Sequence, residues 1–184
     1  MDNEIDLREE YISTEEIFDG KILHVIRDTV KLPNGNETYR EVIRHIGAVC
    51  MIPITDDNEV IVERQYRYPP DMVVTEIPAG KLDTPDEDRL EAAKRELREE
   101  TGITADKWTN IGDFYSAIAY SDERITMYLA QGLHFGVQDL DDDEFLRIEK
   151  IPLMDLVDDV MSGRITDSKT QTAILKAARI IYAK

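Results

Sequence analysis

A mixed-sheet α/β sandwich is the architecture this sequence predicts. Three observations carry it: paired β-rich runs around Pro33-Asn34-Gly35-Asn36, a continuous apolar run at Gly47–Ile54, and helix patterns interleaved with later strands. At 184 residues the chain fits one domain with an appended element and is long enough to bury a real core.

The elements follow in order. Residues 20–32 are rich in β-branched side chains and read as a strand, and Thr38–His45 alternates back as its hairpin partner. Gly47–Ile54 and Val60-Ile61-Val62 flank Thr55-Asp56-Asp57-Asn58 and read as two buried central strands joined by a tight turn. Pro69-Pro70 breaks the pattern, and Val73–Ile77 is a short strand stopped by Pro78. Thr84-Pro85-Asp86-Glu87 reads as a helix start, with Pro in the first turn, and the helix runs to about Thr101, where Gly102 suits the position after the last turn. Trp108–Tyr120 and Ile125–Ala130 read as strands, and Leu153–Met161 and Ser168–Ala183 as helices.

Composition narrows the function. The 22 Lys+Arg against 39 Asp+Glu give a net charge of −17, which argues against nucleic acid or an anionic membrane as the main partner. No apolar run approaches the roughly 18 residues of a bilayer span. The start, Met1-Asp2-Asn3-Glu4-Ile5-Asp6, lacks the apolar stretch of a signal peptide, and the single cysteine suits a reducing compartment, so a cytoplasmic location is expected. Most of the charge lies in three segments: residues 1–19 at −7, 76–102 at −4 and 139–149 at −5. The first reads as a solvated face or a frayed end.

The second segment holds chemistry. In Arg95-Glu96-Leu97-Arg98-Glu99-Glu100, Glu96 and Glu100 are i,i+4 neighbours and Glu99 lies one turn from Glu96, so the three carboxylates share a helix face. Like charges at that spacing cost a few tenths of a kcal/mol per pair, and a hard divalent cation would offset this. On the periodicity alone, a solvated acidic stripe with Leu90, Ala93 and Leu97 turned to the core is the favoured account.

The wider pattern is Gly80…Glu87…Arg95-Glu96-Leu97-X-Glu99-Glu100-X-Gly102-Ile103, and it resembles the Nudix box of hydrolases that act on nucleoside diphosphates linked to another moiety. One departure stands out: six residues separate Gly80 from Glu87, where the family usually has five, a one-residue insertion ahead of the helix. Gly47-Ala48-Val49, Arg64–Pro69, Glu76–Asp83 and Asp167-Ser168-Lys169-Thr170 are similar to the ADP-ribose pyrophosphatase branch.

The resemblance implies a Nudix-type α/β/α sandwich over residues 47–184, with an N-terminal antiparallel β extension over 1–46 exchanged between the subunits of a homodimer. It implies hydrolysis of ADP-ribose to AMP and ribose 5-phosphate with Mg²⁺, for which Mn²⁺ may substitute. By position, Glu96, Glu99, Glu100 and the Ala79 carbonyl would be metal ligands, with Arg95 orienting a glutamate and Glu87 supporting the loop. Arg67 would hold a phosphate, and Arg40 and Glu41 would lie near the nucleoside; a surface role beside an aromatic strand remains an equal reading of Arg67. In the third acidic segment, Glu144 is the first positional match for the general base and Asp142 the second, with Glu99 a further catalytic candidate. The branch's Ser-Pro-Gly stretch is replaced by Ser116-Ala117-Ile118-Ala119-Tyr120-Ser121-Asp122-Glu123, which leaves another nucleoside diphosphate sugar open as substrate. A non-catalytic nucleotide-sensing module is the alternative from another class.

His24, His45 and His134 lack metal-ligand spacing, and Cys50 within an apolar run reads as an inert core thiol.

Overall fold

A computed structural model describes residues 6–140 and 145–183. The chain divides into two compact units, one of residues up to Ile46 with Tyr115–Arg124, the other of Gly47–Phe114 with the residues from Ile125 onward.

The first unit is an antiparallel sheet in the order β1-β2-β3, formed by β1 (Glu10–Asp19), β2 (His24–Lys31) and β3 (Glu37–Arg44). The sequence expectation for residues 1–19, a solvated face or a frayed end, holds for residues 10–19 in its first form only: they are solvated, but as the strand β1 rather than a frayed end. All ten of its residues are exposed, so no inward-outward alternation marks it. Its ladder to β2 shifts register at Tyr11/Ser13 and Glu16/Phe18. Side chains reinforce the pairing: the Thr14 hydroxyl lies 2.6 Å from Asp28 Oδ1, and Glu10 and Glu15 face Lys31 and Arg27 at 3.6 and 3.5 Å. Exposed ion pairs of this kind each add little.

The second unit holds two sheets and three helices. One sheet has the order β7-β4-β9-β8, from β4 (Ala48–Pro53), β7 (Ala79–Lys81), β8 (Ile103–Tyr115) and β9 (Arg124–Phe135). β4 runs parallel to β9 and antiparallel to β7, which makes this sheet mixed. The other sheet, β10-β5-β6, is antiparallel and consists of β5 (Glu59–Arg67), β6 (Met72–Glu76) and β10 (Leu146–Pro152). β4 and β5 are therefore not paired neighbours as expected. They touch through one bridge, Ile54–Val60, and the turn between them, with Asn58 at φ 60°, passes the chain from one sheet to the other.

Every residue of β4 is buried because both of its faces are covered. Cys50 and Ile52 pack with Leu153 and Leu156 of α2 (Leu153–Met161) and Ala173, Ile174 and Ala177 of α3 (Ser168–Tyr182). Val49 and Met51 pack with Ala92, Ala93 and Leu97 of α1 (Arg89–Thr101). This is the α/β/α layering expected of the sequence. Burial pushes the Cys50 thiol up to about 12, which leaves it an inert core group.

Helix α1 starts later than expected. Residues 85 and 86 form a turn, and the extended Asp88 caps the helix by accepting the Leu90 and Glu91 N–H groups at 2.9 and 3.1 Å. Its other end is as read: Gly102 closes the helix in the left-handed region, and its N–H donates to Arg98 O. The bounds of α2 match the expectation residue for residue, and α3 stops one residue earlier than expected.

Candidate metal and phosphate site

The cleft begins with the strand that precedes α1. β7 pairs with β4 through Ala79 and Gly80, and this lays its backbone along the helix face that bears the glutamates. A methyl group on Gly80 would lie 1.9 Å from the Glu96 carboxyl carbon, so any side chain there would push the Glu96 carboxylate out of its present place. Glu100 is buried, and its Oε2 accepts the Ala79 N–H at 3.0 Å, tying the helix to the strand. Residues Ala79–Lys81, Asp83, Arg95, Glu96, Glu99, Glu100 and Asp139 line a cavity of about 390 Å³.

Arg95 holds the centre of this negative charge. Its Nη1 donates to Glu96 Oε1 at 2.8 Å and Glu99 Oε2 at 3.1 Å, Nε donates to Glu87 Oε1 at 3.3 Å, and Nη2 reaches Lys81 O at 3.3 Å. Burial works against its charge, but the bonds to Glu87 and the field of Glu96 raise the guanidinium further above its usual range. Glu87 also accepts the Asp83 N–H at 2.6 Å; that bond, with Arg95, lowers its carboxyl and supports the loop as expected.

The structure brings Ala79, Glu96, Glu99 and Glu100 together, as the sequence expectation requires. Their donor set is all oxygen, the chemistry of a hard divalent cation. Among the described residues, however, no three acidic, His or Cys side chains gather their donor atoms around a common point. The cause is visible: Glu96 and Glu99 turn to Arg95, and Glu100 turns to the Ala79 amide. A cation here would have to draw on carboxylates that Arg95 and the Ala79 amide engage.

A second cavity of about 400 Å³ in the same unit is lined by Arg67, Glu76, Asp167 and Lys169. Arg67 grips the buried Glu76 with two bonds of 2.7 and 3.1 Å, Lys169 pairs with the same carboxylate, and Lys169 lies 3.1 Å from Asp167. Burial alone would raise the Glu76 carboxyl, but Arg67 and Lys169 outweigh it and hold it below its ordinary range. Arg67 is thus a partnered guanidinium, and its charged form is favoured first by Glu76, with the field of Glu100 contributing.

Arg40 and Glu41 belong to the first unit. Arg40 makes two bonds to Glu9, at 3.1 and 2.5 Å, and Glu41 accepts from Arg27 at 3.1 Å. Glu144 and Asp142 lie outside the described residues. Two features of this site escaped the sequence reading. Asp139 enters the cleft, which its place in an acidic run could have suggested; the Glu76–Lys169 pair spans 93 positions, and no local pattern signals it.

Comparison with known proteins agrees with this geometry. Residues 44–169 match the NUDIX domain, and residues 9–43 match the nucleoside diphosphate sugar hydrolase N-terminal domain. The chain is 39% identical to an ADP-ribose pyrophosphatase of Bacillus subtilis, over 91% of both chains. It is also 39% identical to a methanol dehydrogenase activator of Bacillus methanolicus, over 90% of both. An ADP-ribose pyrophosphatase of Mycobacterium tuberculosis is 40% identical over 67% of this chain and 60% of its own. The crystal structure of an ADP compounds hydrolase superposes with a TM-score of 0.85 over 96% of both chains at 24% identity, a likeness of fold. The glutamate-bearing helix, the glycine that makes room for it and the length of the match establish that this chain belongs to the Nudix hydrolase family.

Proposed function

We propose that this protein hydrolyses the pyrophosphate bond of ADP-ribose, yielding AMP and ribose 5-phosphate, and that Mg²⁺ is its metal. The observation that carries the reading is the cleft in which Glu96, Glu99 and Glu100 face the Ala79–Lys81 backbone. The relatives named ADP-ribose pyrophosphatase support the choice of substrate. A bound divalent cation supplies charge neutralisation on phosphoryl oxygens and an acidified water.

Glu96, Glu99, Glu100 and the Ala79 carbonyl hold the metal in this reading. Arg95 keeps the glutamates on one side of the cleft, and its bonds to Glu87 would hold it there beside a bound metal. Arg67 holds a phosphate, sharing its fork with Glu76. Glu144, with Asp142 as second choice, takes the proton of the attacking water as a bridging P–O bond breaks. Residues 1–46 form the exchanged sheet of a homodimer, and Arg40 and Glu41 serve the nucleoside across that exchange. The apolar residues that β1 and its neighbours expose, among them Tyr11, Phe18 and Tyr39, support such an interface.

A second reading keeps the chemistry and changes the distal group. Ser116–Glu123 lacks the branch's Ser-Pro-Gly, and its Ser116 hydroxyl is engaged by Glu123, so a different nucleoside diphosphate sugar is the competing substrate.

The test is a substrate panel of ADP-ribose, UDP-glucose and GDP-mannose with Mg²⁺, read by product chromatography. ADP-ribose is expected to give AMP and ribose 5-phosphate fastest, and Glu96→Gln and Glu100→Gln are expected to lose roughly 100-fold or more in kcat. Unchanged turnover in both variants would sink the ligand assignment. Binding without turnover across the panel would favour a nucleotide sensor.

A further inference from the structure

The segment that follows β9 crosses the end of α1 at backbone contact distance. Gly102 has φ +70°, and a methyl group there would lie 2.6 Å from the Val137 carbonyl carbon and 2.9 Å from Gln138 N. A methyl group on Gly136 would lie 2.7 Å from the Gly102 carbonyl oxygen. Two glycines thus allow two backbones to meet where no side chain fits.

Two hydrogen bonds fasten the crossing. Gln138 Nε2 donates to Glu100 O at 2.7 Å, and the Asp139 N–H donates to Glu99 O at 2.9 Å. Carbonyls in the last turn of a helix have no intrahelical donor, so these bonds satisfy groups that would otherwise need water. The two carbonyls belong to the residues whose carboxylates line the cleft. The crossing also delivers Asp139 to that cleft, with its carboxylate 3.9 Å from Arg98.

We propose that Gln138 is a positioning residue for the hydrolysis: it fastens the start of the acidic segment to the last turn of α1, fixing Glu99 and Glu100 and setting Asp139 in the cleft as a further carboxylate. The inference rests on the pyrophosphatase reading given above. Gln138 acts through these three residues and through no contact of its own with substrate. Its amide suits the task because it offers a donor to a carbonyl without adding charge beside the carboxylates. A displacement of the carboxylates by about an ångström is enough to slow such a reaction strongly.

The test compares wild type with Gln138→Ala and with Gln138→Glu, which keeps the shape and replaces the donor by a carboxylate facing Glu100 O. Three measurements are made on the full chain: steady-state kinetics, thermal midpoint, and amide hydrogen exchange of the peptide spanning 136–140. Both variants are expected to lose roughly tenfold in kcat with KM within about twofold, the glutamate variant losing more. The thermal midpoint is expected to stay within about 3 °C, and the Asp139 amide to lose protection in both variants. Wild-type kcat in both variants overturns the proposal, as does a fall in kcat that only follows a fall in thermal midpoint. A wild type inactive on every nucleoside diphosphate tried overturns the pyrophosphatase reading, and the catalytic part of this proposal with it. In that protein, Asp139 protection that both variants lose would show the anchor standing without the chemistry.

Discussion

Arg95 occupies the place where three carboxylates would otherwise repel one another, bonding Glu87, Glu96 and Glu99 at once. The i,i+4 spacing made Glu96, Glu99 and Glu100 readable from sequence, because a helix converts spacing directly into a shared face. Nothing local could show that Arg67 is held by Glu76, or that Glu76 is also held by Lys169, since the latter contact depends on the tertiary fold. Two residues give predictions at this scale. Gly80→Ala places a methyl group inside the Glu96 carboxylate, so kcat is expected to fall roughly 100-fold with the far-ultraviolet circular dichroism unchanged. Glu76 is held below the ordinary glutamate value of 4.5 in the folded protein. A lowered carboxylate contributes stability above its unfolded pKa, and that contribution is lost as pH falls through the folded value. Thermal midpoints measured down from pH 6 are therefore expected to fall less steeply below about pH 4.5 in Glu76→Gln than in wild type.

Among the elements, those with a strong internal period were readable and those defined by their neighbours were not. α2 was placed residue for residue because its apolar stripe is complete within nine residues. The start of α1 is obscured in the sequence because Pro85 and its acidic neighbours imitate a first turn, while Asp88 is the residue that accepts the orphan amides. Asp88→Ala is expected to destabilise the protein by about 1 kcal/mol in urea unfolding, with kcat for the folded enzyme little changed. β4 and β5 look like one hairpin in sequence because two buried strands joined by a turn read alike whether they pair or part. β7 has three residues and no pattern of its own; it exists because β4 offers it an edge. β10 does carry a local signal, the alternation of Leu146 and Ile148 with Arg147 and Glu149.

At the scale of the whole molecule, the charge of −17 acquires internal structure. Acids of the N-terminal stretch pair with bases on β2 and β3, as Glu9 does with Arg40 and Glu15 with Arg27, while Glu96, Glu99 and Glu100 of α1 gather at the cleft. A cleft this acidic repels an anionic diphosphate until a cation enters, so activity is expected to vanish with EDTA and to return on adding Mg²⁺ in excess. The proposed homodimer predicts a sedimentation mass near twice 21.1 kDa. Deleting residues 1–46 is expected to give a monomer, and a dimer that survives the deletion would exclude the exchanged sheet as its interface.

The parallel ladder between β4 and β9 also sets the order in which the site can be made. Its partners, such as Val49 and Thr126, stand far apart in the chain, and α1 lies between them. Such a pairing closes a long loop before any contact repays the entropy, which slows folding. During synthesis the glutamate helix precedes β9, one wall of its supporting sheet, out of the ribosome. An acidic face favours hydration of an amphipathic segment that has no partner yet, so the glutamates proposed as metal ligands are expected also to keep that segment from associating during the wait.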